Sequence, residues 1–180
     1  MADGKSPAVS PDGTTVAIVD AVLGIKLLTL DGGVVDVIKN RPDLSGALSS
    51  VGWSPDGQQL AVGAQGRVFL VGAGETSMVN AREVIVPSGR TWSSPVLRAD
   101  GSMLVVEEAP GLAPVVRSVA ANGAPQQVID LGGRAPTSLS ADASGGWVLV
   151  PTTTRILMMV GPDGATQPTA ITGAFRGVDW

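Results

Sequence analysis

The sequence contains no cysteine and no histidine. Without cysteine there is neither a disulfide framework nor thiolate chemistry. Without histidine the commonest metal ligand and the commonest general base are both missing, so a Ser-His-Asp triad cannot be assembled. Tyrosine is absent too, and the aromatic residues are four Trp and two Phe, which leaves Val, Ile, Leu and Ala to fill a core. Charge is sparse at 16%, the net charge is −4, and Lys and Arg nowhere form a run. Neutralising phosphates needs a basic stripe, so nucleic acid is not expected as a partner. No uninterrupted apolar run approaches ~18 residues, and no membrane insertion by this segment is expected. Met1-Ala2-Asp3-Gly4-Lys5 lacks the apolar stretch of a secretory signal, and no cysteine is present to carry a lipid. The expected compartment is the cytoplasm, unless a targeting segment lies outside this sequence.

What the chain does have is glycine and proline, 24 and 13 residues spread along its whole length, as expected for punctuation between many short strands. Gly13, Gly57, Gly101 and Gly145 stand 44 residues apart. Three of them close related tetrapeptides: Ser10-Pro11-Asp12-Gly13, Ser54-Pro55-Asp56-Gly57 and Arg98-Ala99-Asp100-Gly101. The fourth copy is degenerate, Ser140-Ala141-Asp142-Ala143-Ser144-Gly145. Pro presets φ, Asp bonds nearby backbone, and Gly accepts positive φ, so Asp12, Asp56 and Asp100 with their glycines are read as tight hairpin turns.

The same 44-residue frame predicts four strands per copy, a to d. Strand a ends at Val9, Trp53, Leu97 and Leu139. Strand b holds Val16, Leu60, Leu104 and Val148 at one position, with Ala17, Ala61, Val105 and Leu149 next to them. Strand c runs through Ile25, Phe69, Ala113 and Leu157, and strand d through Val37-Ile38, Val84-Ile85, Val128-Ile129 and Ala170-Ile171. A strand apolar on both faces is covered on both. A repeat near ~40–45 residues matches a propeller blade, whereas β-helix rungs are shorter. The expectation is an all-β protein, a β-propeller of four four-stranded antiparallel blades in a single domain over residues 1–180. The repeats fall at approximately 5–46, 47–91, 92–135 and 136–172. Gly177-Val178-Asp179-Trp180 matches Val51-Gly52-Trp53, so 173–180 is read as the first strand of a partial fifth repeat. That makes the chain either a segment of a larger propeller or a candidate homodimer joined through the terminal strand, since an unpaired edge templates association.

The segment Val51-Gly52-Trp53-Ser54-Pro55-Asp56-Gly57-Gln58-Gln59-Leu60-Ala61 resembles the WD40-like repeat of TolB-type propellers. The resemblance covers essentially the whole chain, with departures at Ser-Pro and in turn length in copies three and four. More narrowly, the Ala/Gly/Val-rich composition and the stretches Trp92–Leu97 and Val116–Val119 resemble the propeller domain of the actinobacterial lipoprotein LpqB. This resemblance implies an extracytoplasmic domain preceded by an N-terminal module and a lipid-bearing cysteine, neither of which is in the sequence.

The search for chemistry ends in exclusions. Lys5, Lys26 and Lys39 sit in no nucleophile motif. Glu107 and Glu108 are adjacent, so a strand would point them to opposite faces, and they are read as a solvated loop edge at the end of strand b. Calcium would suit the recurring Asp12, Asp56 and Asp100, but the turn accounts for them and blades would hold them apart. Val71-Gly72-Ala73-Gly74 lacks the Lys and helix of a phosphate loop. No catalytic residues, metal or cofactor are therefore expected. Trp92 lies at the entry to an inner strand, with core packing as its ordinary role.

One pattern points to binding. Each connection from strand d to the next strand a carries an arginine: Arg41, Arg90, Arg134 and Arg176. In a propeller these connections share a face with the b–c connections, which bring Asp20, Glu107 and Glu108. Arginine suits capture of carboxylate or phosphate, so these arginines with Trp92 and Glu107 are the candidate rim for an acidic peptide or other anionic ligand. The expected function is a non-catalytic scaffold for protein–protein interaction through that face. Two alternatives stay open: a gating or substrate-selecting propeller domain of a larger enzyme, and a propeller that binds a small molecule or Ca²⁺.

Overall fold

The computed structural model describes residues 5–20 and 22–172. They form four antiparallel sheets of four strands each, every sheet in chain order from inner to outer strand. The first blade is β1 (Lys5–Val9), β2 (Thr15–Asp20), β3 (Gly24–Thr29) and β4 (Val34–Lys39). The second is β5 (Leu48–Trp53), β6 (Gln59–Ala64), β7 (Arg67–Gly72) and β8 (Arg82–Val84). The third is β9 (Thr91–Leu97), β10 (Met103–Glu108), β11 (Val115–Val119) and β12 (Pro125–Ile129). The fourth is β13 (Ser140–Ala141), β14 (Val148–Pro151), β15 (Ile156–Val160) and β16 (Thr166–Thr172). The strand proposed at 173–180 lies outside the described residues.

The recurring turn is built as its sequence dictates. Ser10 N–H donates to Thr15 O at 2.7 Å, Gly13 N–H to Ser10 O at 2.9 Å, and Gly13 has φ 71°. Ser10 Oγ accepts from Thr15 N–H at 2.9 Å and donates to Asp12 Oδ1 at 2.6 Å. Ser54, Asp56 and Gly57 repeat the arrangement. The fourth copy keeps it with the roles exchanged: Asp142 stands at the serine position and Ser144 at the aspartate position. Ser144 Oγ donates to Asp142 Oδ2 at 2.7 Å, and Asp142 Oδ1 accepts from Trp147 N–H at 3.0 Å. The turn is therefore no longer than in the first two copies. Strand a ends at Ala141, which pairs with Val148, not at Leu139 as the degenerate motif suggested. In the third copy Arg98 replaces the serine. Its side chain is almost fully buried and donates to Gly161 O at 2.9 Å and Gly146 O at 3.4 Å, tying blade three to two turns of blade four.

Blades stack through apolar faces. Ala17, Val19 and Leu27 of the first pack with Leu60, Val62 and Phe69 of the second. Ala61, Val68 and Leu70 then meet Trp92, Met103 and Val105, and Leu104, Val116 and Ile129 meet Val148, Val150 and Met158. The fixed 44-residue frame fails in the third blade. Its turn is closed by Arg98 N–H to Ser102 O, one residue shorter than Ser54 N–H to Gln59 O. A slip of one residue flips every side chain of a strand. Met103, not Leu104, takes the position of Leu60, and Leu104 faces the following blade. Unequal b–c connections shift strand c as well. Val19, Gly63, Glu107 and Pro151 pair with Ile25, Val68, Val115 and Leu157, so Ala113 lies in a loop before β11. Ile85 likewise falls beyond β8 and is 83% exposed.

Candidate functional site

The b–c and d–a connections share one face, and the backbone shows it directly. Asn40 N–H donates to Leu23 O, Trp92 N–H to Gly66 O, and Thr153 N–H to Ala135 O, each bond joining a d–a segment to a b–c segment.

Three of the arginines expected on this rim, Arg41, Arg90 and Arg134, are engaged by groups of the chain itself. Arg41 holds Asp43 through Nε at 3.1 Å and Nη2 at 3.0 Å, and its guanidinium lies 5.2 Å from the Phe69 ring centroid. This pairing holds the Asp43 carboxyl below its ordinary value. Arg134 donates to Leu131 O at 3.0 Å. Arg90 donates to Glu107 Oε1 at 3.2 Å. Arg176 lies outside the described residues. A guanidinium has five donors, so these bonds leave further N–H groups for a ligand.

Glu107 is not a solvated edge. It is buried at 2% exposure, because the one-residue slip of β10 turns it toward the second blade while Glu108 stays exposed. Its carboxylate accepts from Arg117 Nη2 at 2.7 Å, from the Trp92 indole N–H at 2.9 Å, and from Arg90. Burial pushes its carboxyl up. The bonds and charges of Arg117, with the Trp92 bond and the Arg90 charge, outweigh that and hold it below its ordinary value. Trp92 itself is wholly buried, so it and Glu107 brace the rim from beneath. Arg117, the strongest partner, is in strand c, where the 44-residue frame gave no reason to look. Asp20 and Lys26 form the corresponding acid–base pair in the first blade. Bonds from Leu23 N–H, Lys26 and Val22 N–H lower the Asp20 pKa to about 2.

The turn aspartates lie at the opposite ends of the strands and are occupied locally. Asp12 accepts from Ser10, Thr14 N–H and Thr14 Oγ1, Asp56 from Ser54 and Gln58 N–H, and Asp100 from both groups of Ser102. Among the described residues no group of three or more carboxylates stands where a metal ion could be held.

What sequence reasoning missed on the loop face is apolar. Val22 and Leu23 in the β2–β3 connection, Ile85 in the β8–β9 connection and Leu112 in the β10–β11 connection are exposed, Val22 at 77% and Leu112 at 62%. Their signal was available: aliphatic residues in loops that the frame had already placed. The inner strands line a cavity of about 670 Å³, with residues from all four blades.

No protein-family model and no curated protein matches the chain. Solved structures do. TolB from Acinetobacter baumannii aligns with a TM-score of 0.65 at 19% identity, over 94% of this chain and 44% of that one. A putative TolB from Agrobacterium tumefaciens aligns with a TM-score of 0.68 at 16% identity, over 91% and 60%. The β-propeller domain of Cps50 (Swd1) from Myceliophteria thermophila gives 0.61 at 17% identity, over 94% and 56%. The chain thus spans between about two fifths and three fifths of these structures, and the likeness shows the fold: four four-stranded blades of a TolB-like, WD40-like β-propeller.

Proposed function

We propose that the protein is a non-catalytic scaffold that binds a protein partner through the face made by its b–c and d–a connections. The observation that carries this reading is the set of aliphatic side chains held out to solvent there, Val22, Leu23, Ile85 and Leu112, on the face that also carries Arg41, Arg90 and Arg134. A fully buried aliphatic side chain contributes roughly 1.5–3 kcal/mol, so covering these loops is a sizeable reward for a partner. The arginines favour a partner whose apolar side chains are flanked by acidic ones. The carboxylate of Glu107 is taken up by internal donors, which suits bracing rather than acid–base work.

The test uses Ile85→Asp with Leu112→Asp. Both positions are exposed, so stability should stay within about 0.5 kcal/mol of the parent. A partner captured by the parent protein and identified by mass spectrometry is then titrated against both proteins. The expected result is at least tenfold weaker binding by the double variant, and weaker binding of the parent at high salt. Equal affinity for the two proteins would remove the loop face as the interface.

A further inference from the structure

The a–b turns of blades one and two stand side by side, so that a Cβ on Gly57 would lie 3.9 Å from Pro11 Cδ. A groove of about 510 Å³ is lined by both turns, by Trp53 and by Ala73. Trp53 ends strand a of the second blade and is half-buried. Its indole N–H donates to Ala8 O of the first blade at 3.0 Å, and its side chain packs on the core between the two blades. That bond satisfies its one polar atom, so what it offers the groove is apolar ring. The corresponding strand ends of blades three and four are Leu97 and Ala141. Their turns carry Ala99 and Ala143 where the first two carry Pro11 and Pro55. The hairpin turn therefore does not itself require a tryptophan beside two prolines. Asp12 and Asp56, one on each turn, are exposed. The bonds they accept from other residues fall on Oδ1, and none reaches Oδ2 of either. Those bonds, led by Ser10 and Ser54, hold both carboxyls below their ordinary values, so both are ionised at neutral pH. Among the described residues no Lys or Arg lines the groove, and none pairs with either carboxylate.

We propose that this groove is a docking site for a lysine or arginine side chain of a peptide partner, whose stem lies along Trp53 and whose charge is met by Asp12 and Asp56. An exposed carboxylate contributes little to binding by itself, because water and salt screen it. An indole ring is the best of the aromatic partners for a cation, and it also covers the aliphatic stem that carries the charge. Ring and carboxylates together select a cation with an apolar body. A divalent metal ion fits less well: it needs more oxygen ligands than two turns supply and gains nothing from the ring. Gln58 also lines the groove, and no bond engages its side chain, so its carboxamide adds an acceptor for the incoming N–H groups. The groove lies at the opposite end of the strands from the loop face, and the inference is independent of the reading given to that face.

NMR titration of the full chain with acetyl-Ala-Arg-Ala-amide and acetyl-Ala-Lys-Ala-amide tests the site. The norleucine peptide serves as neutral isostere, and choline as a cation without a peptide. The Trp53 indole cross-peak, assigned from Trp53→Leu, reports occupancy. The informative variant is Asp12→Asn with Asp56→Asn, which removes both charges and keeps the Oδ1 acceptors. Asn122 accepts from Ala124 N–H in the same way, so this variant should stay folded. At least one cationic peptide should shift the Trp53 peak and bind at least tenfold tighter than the neutral isostere. Its affinity should drop at least fivefold in the double variant. Asp100→Asn, in the turn that follows Leu97, should leave it unchanged. No shift with either cationic peptide overturns the proposal, as does an unaltered affinity in the double variant or an equal loss in Asp100→Asn. Choline binding as tightly as the peptides would overturn the assignment to a peptide. Ile85→Asp with Leu112→Asp should leave peptide binding unchanged, which separates a failure of this site from a failure of the loop face.

Discussion

At the scale of single residues, the least replaceable polar group is Glu107. It answers a buried indole N–H and two guanidinium groups at once. Removing one member of a buried, hydrogen-bonded charge cluster leaves the others unsatisfied, and that penalty exceeds what the pair contributes net. Glu107→Ala should therefore destabilise the protein by about 2–3 kcal/mol in urea denaturation, the partial exposure of Arg90 and Arg117 keeping the loss from being larger. Glu107→Gln retains an acceptor for the indole and should cost about half as much. A loss below roughly 0.5 kcal/mol for the alanine variant would mean that water replaces the carboxylate, and that the cluster does not brace the rim.

The recurring turn shows what is conserved at the scale of an element: a hydrogen-bond pattern more than a motif. In the fourth copy Asp142 and Ser144 exchange the roles of Ser10 and Asp12, yet the strand ends are clamped in the same way. Restoring the common order with Asp142→Ser and Ser144→Asp together should leave stability within about 0.5 kcal/mol of the parent, while Asp142→Ala alone should cost about 1 kcal/mol. Chemical denaturation of the three proteins decides it, and a double variant as poor as the single one would contradict the equivalence. The blades were legible in the sequence because Gly13, Gly57, Gly101 and Gly145 serve a backbone need that no other residue meets cheaply. The faces of the third blade were not, because a single residue missing from a turn inverts a strand without altering its composition. Glu107 was misread for that reason, and Arg117 drew no notice because no motif marks it.

For the whole molecule the lack of histidine and cysteine sets the response to pH. No side chain of either type is present to titrate between about pH 5 and pH 7, so stability should be flat there. Below that range it should fall. Asp12, Asp20, Asp31, Asp43, Asp56, Asp100, Asp142 and Glu107 all have lowered pKa values in the folded chain. Each contributes stability that is complete above its unfolded value near about 4 and is lost as pH drops through the folded one, for Asp20 down to about 2. Unfolding free energies at pH 7, 5, 4 and 3 should show a plateau and then a decline, shallower in Glu107→Gln. A decline between pH 7 and pH 5 would contradict this account. The shortened turn of the third blade also bears on any attempt to recombine this protein. A consensus blade averaged at a constant spacing would blend outward and inward side chains from that copy. Grafted unaltered into another slot, such a hybrid would turn a carboxylate toward the preceding blade without the Trp92 and Arg117 that hold Glu107 from strands a and c of its own blade; a usable template needs one gap placed after Gly101.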